Sequence, residues 1–538
     1  MFSLSAHIDT FCRDNLPPRD EWPELVFDLP TLTYPERLNC ATALLDAAVA
    51  THGRVKPCLL TGDSVWTYGD LLDRANQIAH VLTADLGLLP GNRVLLRAPN
   101  TPWLVACWFG VVKAGGVVVT TMPLLRAPEL SKLVELMSPA LALCDSRLVD
   151  ELSASAPDLT IVPFGGQATD DLTARIETKS TVFDDVATAA DDVVLLAPTS
   201  GTTGAPKATM HFHRDLLAIT DTFSAGVLAP SADDVFIGTP PMAFTFGLGA
   251  LVAFPLRAGA SVVLLERPDP STLVEAIETF GATVLFTAPT AYKALLKRGD
   301  LGRLKSLRRC VSAGEHLPEA VFTQFRERTG LEIINGIGGT ELLHIFISAA
   351  DENIRPGSTG RAVPGFRAEI QDDNGDPVPD GTPGLLAVKG PVGCRYLADP
   401  RQRTYVRNGW NITGDTYTRD ADGYFWYHAR SDDMIVSSGY NIGAPEVETV
   451  LDLHPDVVES AVIGVPDDDR GMIVHAAVVL RDGVSGGAEK ARELQDFVKQ
   501  TAAPYKYPRS IEFLESLPRN PSGKLQRFRI RERWEAGR

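Results

Sequence analysis

The sharpest chemical signal in the chain is the run Thr199-Ser-Gly-Thr-Thr-Gly-Ala-Pro-Lys207. Thr199, Ser200, Thr202 and Thr203 bring hydroxyls, Gly201 and Gly204 free the backbone, and Lys207 adds a cation. Glycines let backbone N–H groups approach an anion closely, and hydroxyls and an ammonium complete a phosphate cradle. The pattern is not that of a P-loop, because Ala205 and Pro206 separate Gly204 from the lysine and Ala208 follows it. A Gly/Thr-rich surface turn is the plain alternative for this stretch alone. His211 and His213 follow closely, but no third ligand stands at metal-site spacing, so a structural pair is expected and no base is assigned. Further along lie Thr340-Glu341, Asp415, Arg430 and Lys524. Taken singly, each would ordinarily be a solvated side chain.

The elements that must hold these residues are written in the periodicity. VVLLAP, an apolar strand, leads directly into Thr199. Upstream, CLLTGDSVWTY reads as a hairpin, LLDRANQIAHVLTADLG and TPWLVACWFGVVKAG as helices, and NRVLLRAP and VVVTTMP as strands. After VVLLAP come the strands ATVLFTAP and RRCVSAGE, the first preceded by the helical STLVEAIETFG and the second followed by the helical AVFTQFRERTG. Such alternation predicts parallel sheets covered by helices on both faces. Residues 145–192, rich in Ala, Ser, Asp and Thr, read as a surface excursion between two α/β units. Rising Gly/Pro density over 360–389 predicts a small antiparallel, barrel- or sandwich-like part. A composition break at 430–433 precedes PEVETVLDLHP, SAVIGVPD, HAAVVLRD and ARELQDFVKQTA, an α+β domain. The expected fold is therefore α/β: residues 1–431 with two doubly wound subdomains and a small β part, then a small α+β domain over 432–538.

Composition bounds the function. The chain has 538 residues, 44% hydrophobic and 22% charged, with net charge −17, the profile of a globular protein. The acidic balance excludes a broad nucleic-acid-binding face, which needs clustered Lys and Arg, but permits a small anionic ligand. Seven scattered cysteines without a C-x-x-C pair predict reduced thiols and a cytoplasmic protein. Asp9, Arg13 and Asp14 interrupt any secretory leader, and Lys113, Gly115 and Gly116 break the apolar stretch 103–125, so neither export nor membrane insertion is expected.

With the motifs in view, the chain resembles the adenylate-forming enzymes: acyl- and aryl-CoA ligases, peptide-synthetase adenylation domains and luciferases. TSGTTGAPK is similar to their phosphate loop, and GIGGTE (336–341), ITGD (412–415), RSDDMIVSSGYNIGAPEVE (430–448) and PRNPSGK (518–524) follow in the family's order. Ile337 replaces the usual aromatic, as in benzoate-type ligases. The resemblance implies ATP and Mg²⁺ as cofactors and CoA as co-substrate. It implies that Glu341 ligates Mg²⁺, with Thr340 beside the phosphates, and that Gly314, Glu315 and Gly338 contact the nucleotide. Asp415 and Arg430 would take the ribose. Lys524 would bridge carboxylate and phosphate from a loop that Pro518 and Pro521 keep non-helical and Gly523 frees. Asp432 would be the hinge of a rotating C-terminal domain, and Ser438, Gly439 and Tyr440 would line a channel for the pantetheine arm. These residue types suit the reaction. A carboxylate of pKa about 4 is already ionised, so joining it to a phosphate needs charge cancellation and alignment rather than a base.

The acid pocket implied by the family falls on PPMAFTFGLG (240–249) and GIGGTELLHIF. Phe244 and Phe246 beside Gly247, with Gly339, describe a flat apolar slot for a planar ring, though core packing reads the same way. His344 is a polar contact near it. Amino-acid-activating relatives carry an aspartate where Thr245 stands, so a charged α-amine would go unpaired here. The N-terminal stretch from Ser5 resembles 2-aminobenzoate-CoA ligases. The expectation is an aryl-CoA ligase, first for 2-aminobenzoate, with benzoate, hydroxybenzoate and carrier-protein loading as alternatives. Only 14 residues follow Lys524, so a carrier would be a separate protein. A dead nucleotide-binding scaffold and a fatty acyl-CoA ligase are the rival classes. Expected partners are small molecules, with no nucleic acid or membrane, in a monomer or homodimer.

Overall fold

The computed structural model describes residues 4–200, 206–430, 434–437, 440–467, 471–502, 504–519, 523 and 525–536. Two sheets dominate the N-terminal part. The first has six strands in the order Thr160–Phe164, Leu141–Asp145, Arg93–Arg97, Val117–Thr121, Val193–Ser200, Pro206–Phe212. Its pairs are parallel except the last, an antiparallel hairpin. The central strands are buried throughout, which is why each carries a short apolar run rather than an alternating pattern, with polar residues only at the strand ends. The stretch 103–125 divides as expected into the helix Pro102–Lys113 and the strand Val117–Thr121. Thr101 starts the helix by accepting the Leu104 N–H, and Pro102 supplies a preset φ. Among the described residues, no helix is long and apolar enough to cross a membrane.

One expectation is corrected. The region 145–192 is not a plain surface excursion, since it contains the strand Thr160–Phe164 and the helices Val149–Ser155 and Leu172–Ile176. That strand lies at the sheet's edge and buries only Val162 and Phe164, so it needs few large apolar residues. Part of the polar composition is capping chemistry: Asp171 accepts hydrogen bonds from the backbone of Gly166 and Thr173.

The second sheet has nine strands, ordered Arg361–Ala362, Ile345–Ser348, Ile333–Gly338, Arg309–Ser312, Val284–Thr287, Val235–Gly238, Ser261–Val263, Pro57–Leu60, Val65–Thr67. It is parallel from Pro57–Leu60 to Ile333–Gly338 and antiparallel at both margins. Helices Pro270–Phe280, Pro289–Arg298 and Glu319–Thr329 cover it with a core that includes Leu273, Ile277, Tyr292 and Phe325. In a parallel sheet the strands' carboxyl ends gather at one edge, where sites form. Thr199 and Gly338 are both at such ends.

A five-stranded sheet follows, built from Arg367–Gln371, Gly384–Lys389, Val406–Arg407, Trp410–Arg419 and Phe425–Arg430. The chain divides into two compact units, residues 1–368 with 388–411 and residues 369–387 with 412–538. The expected boundary at 431/432 lies outside the described residues. Within the second unit, Val457–Asp467 and Gly471–Leu480 form a long antiparallel pair, flanked by the hairpin Met434–Ser437/Tyr440–Gly443 and the parallel strand Ser510–Phe513. Helices Ala444–Leu451 and Ala488–Thr501 pack on it through Val447, Leu451, Leu494 and Val498.

Candidate active site

The phosphate-loop candidate begins and ends on two paired strands. Val193–Ser200 pairs with Pro206–Phe212, with Thr199 opposite Lys207 and Ser200 opposite Pro206. Gly201, Thr202, Thr203 and Gly204, which follow Ser200 in sequence, lie outside the described residues. Lys207 therefore stands at a fixed register on a strand rather than on a free loop.

Its ammonium meets Glu341 and Tyr396. Lys207 Nζ is 3.0 Å from Glu341 Oε1, and it also donates to the Tyr396 hydroxyl. That hydroxyl in turn donates to Glu341 Oε1 at 2.5 Å. Glu341 and Thr340 lie in the short 3-10 turn Thr340–Leu342 that follows the strand Ile333–Gly338, and Leu343 leaves the turn with φ +67°. Burial alone would raise the Glu341 carboxyl's pKa, but Lys207's charge and the hydrogen bonds from Tyr396 and Lys207 hold it below the ordinary glutamate value. It is an anion at neutral pH. Both bonds fall on Oε1, while Oε2 faces Gly339, where an added Cβ would lie 3.5 Å away. A buried, ionised carboxylate whose Oε2 takes no part in the Lys207 and Tyr396 contacts suits a hard cation such as Mg²⁺.

A buried charge pair supports this corner from below. Arg395 donates to Asp215, and both side chains are fully buried. Asp215 also accepts from the Phe212 N–H at the start of the helix His213–Ile219. His211 Nε2 lies 2.8 Å from the Thr340 carbonyl, so this nitrogen carries hydrogen and donates. His213 is separately buried, its Nδ1 accepting from the Cys40 N–H, and burial lowers its pKa to about 3. The two histidines face different partners and form no shared metal site.

Past Glu341 the chain turns into an aromatic cage. His344 is buried with its ring centroid 4.5 Å from that of Phe254, 5.5 Å from Phe223, 5.6 Å from Phe246 and 6.4 Å from Phe286. Burial lowers its pKa to about 3 against a smaller opposing pull from the Phe246 backbone, so it is neutral at pH 7; beyond that marginal backbone contact, neither ring nitrogen meets a partner at full hydrogen-bond geometry among the described residues. Phe244 caps the helix Thr245–Leu248, which carries Phe246 and Gly247. Gly247 has no room for a Cβ, which would lie 2.1 Å from the Pro241 carbonyl oxygen, and at Gly249 a Cβ would lie 2.4 Å from His344 Cδ2, so the imidazole would have to shift. Gly338 lies against the His344 backbone, and Gly339 lies beside Glu341. Two adjacent glycines thus join the charged corner to the cage. Gly314 and Glu315 follow the carboxyl end of Arg309–Ser312, and Gly314 has φ +87° with open space on its Cα.

In the second unit, Asp415 and Arg430 are register partners on neighbouring antiparallel strands. Asp415 is buried, and its N–H donates to Thr413 Oγ1 at 3.2 Å. Tyr440 opens the strand Tyr440–Gly443, whereas Asp432, Ser438, Gly439 and Lys524 lie outside the described residues. His454, Asp456 and Glu493 cluster at metal-ligand spacing, but the Lys490 ammonium bridges both acids at 2.7 Å, which makes the group an ion-pair network.

Sequence reasoning missed Arg395, Tyr396, Tyr405, Phe223, Phe254 and Phe286. Arg395 carried a faint signal as a lone charge within the apolar stretch VGCRYL. The phenylalanines carried none, because a cage wall and a core residue look alike.

Comparison with known proteins places the chain in a family. A family model described as AMP-binding enzyme matches residues 45–396, and one described as AMP-binding enzyme C-terminal domain matches residues 446–524. The benzoate–CoA ligase of Thauera aromatica is 34% identical over 516 residues, covering 93% of this chain and 97% of its own. The structure resembles that of the anthranilate CoA ligase AuaEII in complex with anthranoyl-AMP, with TM-score 0.88 and 32% identity over 95% of this chain and 99% of that one. A benzoate CoA ligase from Burkholderia xenovorans LB400 matches with TM-score 0.83 and 31% identity over 92% of this chain and 100% of that one.

Proposed function

This chain belongs to the AMP-binding enzyme family, and from that premise we propose that it is an AMP-forming acid–thiol ligase for aromatic acids, with 2-aminobenzoate as the first substrate. The observation that carries this reading is the meeting, through Gly338 and Gly339, of a Lys207–Glu341 charge pair with an aromatic cage. In the first half-reaction the acid's carboxylate oxygen attacks the α-phosphorus of ATP, and pyrophosphate leaves. In the second the CoA sulfur attacks the acyl carbonyl carbon, and AMP leaves.

The chain's residues divide this work. Thr199, Ser200, Gly201, Thr202, Thr203, Gly204 and Lys207 hold the phosphates, Thr340 and Gly338 flank them, and Gly314 and Glu315 border the nucleotide. Glu341 would hold Mg²⁺, which supplies charge cancellation on the phosphate oxygens when bound. Asp415 and Arg430 take the ribose. Lys524 aligns carboxylate with phosphate, and Ser438, Gly439 and Tyr440 border the thiol's path after rotation at Asp432, between domains 1–431 and 432–538. Rotation about a few residues is an ordinary closure mechanism. Seven buried thiols without a disulfide support a reducing, cytoplasmic setting.

The amino substituent is argued from His344. The planar ring is placed against Phe246, which is half-buried where Phe223, Phe254 and Phe286 are buried, with His344 packed behind it; unsubstituted benzoate offers the imidazole no polar partner. A neutral aryl amine offers an N–H to it, and a buried polar group left unpaired is costly. The similarity to an anthranilate ligase structure supports the same choice. The test is a CoA-thioester assay on 2-amino-, hydroxy- and unsubstituted benzoates and octanoate. The expected order places 2-aminobenzoate first and octanoate last. A preference for octanoate would end the cage reading, and adenylate formation without thioester would favour a carrier-protein loader.

A further inference from the structure

We infer that Tyr396 is a positioning residue that holds the Glu341 carboxylate so that Lys207 can leave it for a nucleotide's phosphates. The inference rests on the ligase reading of this site. Lys207 and Glu341 are opposite charges in direct contact, yet the proposed reaction needs them apart, one on phosphate and the other on a metal ion. With Lys207 as its sole partner, a buried Glu341 would lose all compensation when the ammonium moved, and an unpaired buried charge is strongly disfavoured. Tyr396 removes that obstacle. Its hydroxyl donates to Glu341 Oε1 and accepts from Lys207, so one hydrogen bond to the carboxylate survives after the ammonium departs.

The geometry fits a fixed pivot beside a movable arm. Tyr396 is fully buried, and its N–H donates to Gln402 Oε1 at 2.9 Å. Its neighbours on both sides are bonded to the strand that bears Lys207: the Arg395 carbonyl accepts the Met210 N–H, and the Leu397 N–H donates to the Ala208 carbonyl. The Arg395–Asp215 pair anchors the preceding residue, and the Tyr405 ring packs edge-on against Tyr396 at 5.7 Å. Lys207, by contrast, has a four-carbon stem, and its ammonium lies 4.1 Å from the Tyr396 ring centroid and 5.6 Å from that of Tyr405. Both rings are within cation–π reach of that ammonium.

The test is a double-mutant cycle on the full-length chain, reading ATP and AMP affinity by calorimetry in EDTA, so that no metal contributes. Without the hydroxyl, Glu341 depends on Lys207 alone and grips it harder. Tyr396→Phe is therefore expected to weaken metal-free ATP binding about tenfold, the size of one hydrogen bond to a charged group, and to leave AMP binding within about twofold. In a Glu341→Gln background the same substitution should change ATP affinity less than about twofold, because there is no carboxylate left to hold. With Mg²⁺ present, KM for ATP should rise while kcat stays within about threefold. Equal weakening of ATP and AMP, or an undiminished effect in the Glu341→Gln background, would mean that Tyr396 merely supports the fold and would overturn the inference. A Tyr396→Phe protein too unstable to isolate would overturn it in the same way. Wild-type protein that makes no acid-dependent pyrophosphate exchange would instead bring down the ligase reading itself. Normal exchange with an unaffected Tyr396→Phe variant sinks only the positioning role.

Discussion

Glu341 and His344 are three residues apart, both buried, and solve the cost of burial in opposite ways. Glu341 keeps its charge because Lys207 and Tyr396 compensate it. His344 gives up its charge and is surrounded by phenylalanine rings, with its nitrogens lacking partners at full hydrogen-bond geometry. The contrast separates two kinds of site. The charged corner is wired before any ligand arrives, so binding there exchanges partners. The cage is short of a partner, so binding there supplies one. A ligand for the corner must be charged enough to replace an ion pair, and a ligand for the cage must be flat, apolar and polar at one edge.

The largest expected effect comes from breaking the support of the wired corner. Arg395→Met leaves Asp215 as a buried anion without its cation, and removing one partner of a buried pair costs about 3–5 kcal/mol. Urea denaturation should show that loss, and ATP affinity should fall with it because Tyr396 is the next residue. A loss below about 1 kcal/mol, the range of exposed pairs, would show that the corner is less firmly wired than its burial implies.

Gly249→Ala tests the cage without touching charge. The new methyl would lie 2.4 Å from His344 Cδ2, so the ring or its helix must shift, at a cost of about 1–3 kcal/mol. KM for the aromatic acid should rise while ATP affinity stays put, since Lys207 and Glu341 are not involved. A parallel loss of ATP affinity would erase the distinction between the two halves.

The same contrast explains what the sequence revealed. Thr199–Lys207 and Thr340-Glu341 are legible because their hydrogen-bonding chemistry sits in short runs at fixed spacing. The sheets are legible because the central strands, such as Arg93–Arg97 and Val117–Thr121, are buried throughout and carry apolar runs, Val94–Leu96 and Val117–Val119, on both faces. The cage is not, because Phe223, Phe246, Phe254 and Phe286 come from separate segments and each passes for core. Tyr396 is hidden by distance, as it meets Lys207 across 189 residues. The edge strand Thr160–Phe164 is hidden by exposure, since only alternate residues of it are buried.

Acid separates the two halves by a smaller but cleaner margin. His344 is neutral in the fold, with its pKa lowered from 6.5 to about 3, so below 6.5 the unfolded chain binds a proton that the folded chain refuses. Stability therefore falls as pH drops from 6.5 towards 3, by up to about 1.4 kcal/mol per pH unit for each such histidine. His213 behaves alike, with its pKa also lowered by burial to about 3. Glu341 is depressed below its ordinary 4.5, so its contribution is complete above that value and is lost only as pH falls through the folded value beneath it. Between pH 6 and 5 the slope belongs to the histidines. His344→Leu should remove about one proton's worth of it, flattening the fall by about 1.4 kcal/mol per unit. At pH 7 the variant should be no less stable than wild type, because the substitution deletes two poorly partnered nitrogens from an apolar cage. The same variant should lose its preference for 2-aminobenzoate over benzoate. An unchanged pH slope, read from urea midpoints at pH 6.0 and 5.0, would place His344 in contact with water and remove the physical reason for assigning an amino-substituted ring to the cage.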